Sequence, residues 1–176
     1  YAFGITLILG GLVVTALARY IGGELRQWST ERGLDAERGI RTITGGLVLL
    51  GIFLACVGIF PVDLHFGIHN TVASGMAVVY LVIVIGLRWF LPGFPNAFLV
   101  LGYAFLGIIF VTVLFFFPFG YYNLTAVELV AAGLIFSWLI IFIRNITAST
   151  TDRRVAEVTR AVEGDPAAAP VHEYEG

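Results

Sequence analysis

The chain has 176 residues, 59% of them hydrophobic and only 12% charged, with a formal net charge of −2. Soluble domains carry about 25% charged residues, and a fold of this length has too little interior to hide so much apolar surface. A soluble globular protein is therefore excluded, lipid is the solvent for most of the chain, and the near-neutral charge offers nothing to nucleic acid.

A spanning helix needs about 20 mostly apolar residues. Five stretches meet that length: 1–18, 42–60, 69–87, Asn96 to Phe117, and Leu124 to Ile143. They are too long for barrel strands and lack the two-residue alternation of a barrel, so the fold class is an all-α polytopic transmembrane bundle. The chain starts inside an apolar run, and its odd span count with an external start leads us to expect one further upstream helix, six in the full protein. Cys56, the single cysteine, lies in the middle of the second span, reads as a small buried hydrophobe, and rules out an intrachain disulfide.

Between the first two spans lies the polar segment Arg19–Arg41, where Asp35 is placed to cap a helix running into the second span. Trp28, in the same segment, is expected at headgroup level, where tryptophan is enriched. Residues 61–68 read as a short loop. Residues 88–95, with two prolines and a glycine, read as a tight turn.

All ten basic residues are arginine, which, with heavy use of Ala, Gly and Val, suggests a bacterial chain with high-GC coding. Segment 19–41, segment 88–95 and the tail after 143 hold all ten; the opposite side holds none. Basic residues concentrate in cytoplasmic loops, which puts the Tyr1 side outside a plasma membrane and the C-terminus in the cytoplasm. We divide the chain into a bundle, 1–146, and a cytoplasmic tail, 147–176. In the tail, Val155, Val158 and Val162 recur at helical spacing among arginines and suggest a short amphipathic helix on the inner leaflet. Gly164 would end it, and the Pro- and Ala-rich stretch 165–170 reads as disordered, with His172 a plain tail residue.

Polar groups within a membrane are costly, so each invites a functional reading. Glu128 sits one turn into the fifth span, and His69 and Asn70 open the third at the same depth. Asp63 and His65 lie just before them, and Tyr121, Tyr122 and Asn123 lie in the other arginine-free loop. An outer polar pocket of Asp63, His65, His69, Asn70, Tyr122, Asn123 and Glu128 follows if the loops converge. His69 and Glu128 are the candidate catalytic pair, with histidine as base and glutamate orienting it. Asp63, His65, His69 and Glu128 are the candidate metal ligands, although Pro61 and Gly67 weaken the helical spacing of the two histidines. The bland alternatives are an ordinary hydrogen bond for the histidine and a dipole or snorkelling role for the glutamate. A GxSxG, P-loop or CxxC motif is absent from the sequence, as is the run of polar residues at several depths that a transport path needs.

The segment Phe3–Gly11, the Gly58-Ile-Phe-Pro61 run followed by His69-Asn70, and Glu128 at the head of the last span resemble a family of multi-pass membrane proteins, domain of unknown function family 998. More distantly, they resemble the DRAM-type membrane proteins linked with lipid and membrane organisation. Gly4 stands where the family usually carries Asn. The resemblance covers about residues 1–145 and implies a six-helix fold, without an activity. Taken together, we expect an accessory subunit or lipid-associated component of a larger membrane complex. Its partners would be membrane lipid and other membrane subunits, with no cofactor beyond bound lipid or a possible metal. A lipid-modifying or metal-dependent enzyme at the outer leaflet is the alternative, ahead of a transporter.

Overall fold

The computed structural model describes the backbone of residues 2–116 and 124–162, and the side chains of 4–115, 126–147, 155, 156 and 158–160. Its elements are α1 (Ala2–Glu31), α2 (Glu37–Ile59), α3 (Val62–Phe90), α4 (Asn96–Phe116) and α5 (Leu124–Val162). Each contains a segment long and apolar enough to cross a membrane. Among the described residues the chain is thus an all-helical bundle with five spans. Consecutive helices pack on one another, α1 on α2 most extensively, and α5 returns to α1, closing a ring.

Glycine sets the closest approaches. A Cβ on Gly4 would stand 2.8 Å from the Gly58 carbonyl oxygen, and one on Gly11 would run into the Gly51 backbone and Ala55. These pairs lie seven residues apart on both helices, two turns of a continuous antiparallel seam. Hydrocarbon provides no hydrophobic drive between helices, so such backbone contact is the main source of cohesion. The α2–α3 seam repeats the device: Gly39 lies under the Phe90 carbonyl and Gly46 under Ile83, again seven apart. Gly45 and Gly133 meet nothing within 4 Å, so they do not pack helices.

The turns follow from local chemistry. Gly33, with φ +63°, ends α1: Leu34 N–H donates to Ser29 O and Gly33 N–H to Thr30 O, the paired bonds of a Schellman motif. Leu91-Pro-Gly-Phe94 has Pro at its second position, Gly93 at φ +87° and Phe94 N–H donating to Leu91 O, a type II turn.

Several boundaries differ from the sequence reading. α1 does not stop near Arg19 but continues to Glu31, because Ala18, Ile21, Leu25 and Trp28 keep a helical apolar stripe buried beneath the arginines. Glu37 then bridges α1 to α2, accepting from Arg26 at 3.2 Å and Arg41 at 2.8 Å. Asp35 does not cap α2; the N-cap is Ala36, with no side-chain bond. Trp28 is only 4% exposed, packed edge-on against Phe94 with Arg32 over its ring. Trp89, 70% exposed, is the tryptophan that faces outward there. The tail segment does not start a separate helix: α5 runs unbroken to Val162. Its 39 residues reach about 58 Å, well beyond a hydrocarbon core of about 30 Å. Gly164, His172 and the Pro/Ala stretch lie outside the described residues.

The core is most aromatic toward the arginine-rich end. Trp138 and Phe142 of α5 stack at 5.0 Å, Phe98 of α4 stacks on Phe142 at 5.3 Å, and Phe94 links them to Trp28. Tyr80 of α3 meets Trp138 edge-on at 5.4 Å.

Candidate functional site

α3 and α5 meet at their arginine-free ends. His69 Nε2 lies 3.2 Å from Glu128 Oε1, and His69 Nδ1 lies 2.8 Å from the Phe60 carbonyl oxygen. Tyr80 and Trp138, eleven and ten residues further along the same helices, touch as well, so the parallel pair is held at two depths.

Local sequence builds each part. Pro61 stops α2 at Ile59, and the Phe60 carbonyl at its C-cap is left for another donor. The chain re-enters a helix almost at once. Residues 61–68 are therefore not a loop: α3 starts at Val62 with Pro61 as N-cap, and the only irregularity is His65, at φ −138° and ψ 54°. That break swings His65 and His69 onto different faces. His65 is exposed and packs edge-on against Phe60, while His69 turns inward and is buried.

A carbonyl oxygen can only accept, so His69 Nδ1 carries a hydrogen and donates it to Phe60. One proton is then shared with Glu128: either Nε2–H donates to a carboxylate, or a protonated carboxyl donates to a bare Nε2. Both ring nitrogens are thereby engaged. The side chain of His69 is 7% exposed and that of Glu128 36%, so the carboxyl is the accessible member of the pair. This reverses the expected roles, in which histidine faces a substrate and glutamate stands behind it.

The remaining candidates separate. Asp63 is exposed and Asn70 half-buried beside His69 in sequence. Tyr121, Tyr122 and Asn123 lie outside the described residues. Among the described residues no three His, Cys, Asp or Glu side chains come close enough to hold one metal ion. The four-residue set Asp63, His65, His69 and Glu128 does not assemble, because the kink at His65 points two of its members into solvent or headgroups.

Two features escaped the sequence reading. Tyr80 and Trp138 bury their hydroxyl and indole N–H without a partner among the described residues, and Thr44 does the same with its hydroxyl. For Tyr80 and Trp138 the available signal was a position deep within an apolar span; Thr44 lies near the arginine-rich start of its span. The second is an apolar cleft of about 270 Å³ between α1 and α5, lined by Val13, Leu17, Phe136, Leu139, Ile140 and Ile143 among others, with Leu47 of α2 at its back.

No protein-family model, curated protein or solved structure matches the chain.

Proposed function

We propose that the protein is a non-catalytic, lipid-associated component of a larger membrane assembly, with its arginine-free end outside the plasma membrane of a bacterium. The supporting observation is the His69 contact. The one histidine placed for chemistry spends both nitrogens joining the end of α2, the start of α3 and the head of α5. A clasp of this kind serves to fix the bundle, and function then resides on the lipid-facing surface. Exposed apolar side chains such as Leu9, Leu12, Ile52, Val78, Val100 and Phe110 populate that surface on the first four helices. The likeness to domain of unknown function family 998 belongs to the same proposal. Purification in mild detergent, with mass spectrometry of the intact particle, tests it. A reproducible complex with another membrane protein is expected; a homogeneous monomer free of any partner overturns it.

One observation favours a second reading, an enzyme acting on lipid at the outer leaflet. Glu128 presents a half-exposed carboxyl that shares a proton with a buried imidazole. Glu128 would be the acid or base that meets substrate and His69 the positioning residue that holds it in place. Incubation of the purified protein with outer-leaflet lipids, with Glu128→Gln as control, decides this reading. Turnover abolished in the variant supports it, and no product from the wild type removes it.

A further inference from the structure

We propose that the outward face of α5 is a self-association surface, on which two copies of this chain pack their α5 helices in parallel, from the lipid-facing span into the segment beyond it.

One stripe runs along the helix. At about 100° per residue, Gly133, Ser137, Ile140, Arg144, Val155 and Val158 fall within about 60° of one another around α5. All six are exposed. The buried face of the helix, with Ile135, Trp138, Phe142 and Ile146, lies opposite. Among the described residues nothing stands within 4 Å of a Cβ added to Gly133, so no other helix of this chain closes on it.

The stripe keeps its small or apolar character, Arg144 apart, although its surroundings change. Through the span, Ala126–Thr147, lipid suffices to cover it. Beyond the span the helix carries Asp152, Arg153, Arg154, Glu157 and Arg160, which keep it out of hydrocarbon. There Val155 and Val158, 60% and 63% exposed, still occupy the stripe. A face suited only to lipid would turn polar on entering water, and this one does not. Because α5 is unbroken, its tail continues the direction of its span, so these valines point sideways rather than down onto a leaflet. A lone helical segment of about 15 residues is also marginal in water unless one face is packed. Another helix covers the stripe in both solvents.

That helix belongs to a second copy. All copies insert in one direction, so two α5 helices are parallel, and a two-fold axis along the membrane normal sets the stripe against itself at equal depth throughout. Small residues at 133 and 137, one turn apart, allow close approach, and a serine hydroxyl both donates and accepts, so two copies of Ser137 satisfy each other. The charges complement as well. Position 152, an aspartate, lies on one edge of the stripe and position 154, an arginine, on the other. The two-fold axis brings unlike edges together, so each aspartate position faces an arginine position, as flanking residues do in a coiled coil. Arg144 lies at the arginine-rich end of the span, where its long stem lets the guanidinium turn out to the headgroups.

Disulfide trapping tests this in membranes of cells making the full chain, with Cys56→Ser as background and a mild oxidant. Ser137→Cys and Val158→Cys, about 32 Å apart along the stripe, are each expected to give a dimer of the chain. The yield should exceed several-fold that of Ile108→Cys, on the lipid-facing side of α4, and of Arg160→Cys, on the opposite face of the α5 tail. Val155→Glu with Val158→Glu touches no buried residue. Added to Ser137→Cys, the pair is expected to lower the dimer several-fold while circular dichroism shows unchanged helix content. Equal trapping at the control positions, or none at Ser137→Cys, overturns the proposal, and a dimer indifferent to the two glutamates overturns the part given to the tail. A mixed disulfide with a different protein, in place of a second copy, overturns the occupant and leaves the accessory reading standing. A dimer that purifies without any other membrane protein upholds this surface and removes that reading.

Discussion

Two side chains show how differently a buried polar group behaves with and without a partner. His69 is satisfied twice. His69→Ala leaves the Phe60 carbonyl open and Glu128 without its partner, and is expected to cost about 1–3 kcal/mol. Glu128→Gln keeps a donor facing Nε2 and is expected to cost less than about 1 kcal/mol. Reversible unfolding in mixed micelles reads both; no loss in His69→Ala would mean that the clasp holds nothing. Tyr80 is the opposite case, since its hydroxyl is buried and has no partner among the described residues. Tyr80→Phe removes a desolvated group at constant shape and is expected to leave the thermal midpoint unchanged or raised. A fall would reveal a buried water on that hydroxyl. The His69–Glu128 pairing was legible as a possibility, because both residues fall at one depth beside arginine-free loops. The Phe60 acceptor was not, because a carbonyl carries no residue-specific signal.

Helix existence could be read from hydropathy, and helix length could not. Apolar windows end at the first arginines, whereas α1 continues twelve residues past Arg19 on a stripe of Ala18, Ile21, Leu25 and Trp28. That stripe is present in the sequence but invisible to an average. Segment 61–68 misled for a related reason: Pro61, Asp63 and Gly67 are turn formers individually, yet Pro also opens helices, and here it does. Glycines divide by neighbour rather than by residue type. Gly11→Ala drives a methyl into the α2 backbone and is expected to destabilise by about 1–3 kcal/mol. Gly45→Ala meets nothing and is expected to be neutral or to stabilise by up to about 1 kcal/mol. Circular dichroism melts of the two variants separate the seam from the bystander.

For the whole molecule, the arginines predict a direction of insertion that single-cysteine labelling can check. In a Cys56→Ser background, Leu64→Cys at the exposed arginine-free end is expected to react with an impermeant maleimide applied to intact cells. Asp35→Cys and Val155→Cys are expected to react only after lysis. The reverse pattern would invert the protein. One consequence of the unbroken α5 concerns force. A rod that is buried at Ile146, 3% exposed, and exposed at Val155 and Val158 is a lever with its fulcrum near Ile146. The arm to Val158 is about 18 Å and the arm to Glu128 about 27 Å, so a small displacement at the tail arrives enlarged at the carboxyl. Spin labels at Val130 and Val158 should report one narrow separation near 42 Å, and Ser149→Pro should broaden it. If the wild type is already broad, the lever bends, and a tug on the tail is spent before it reaches the clasp.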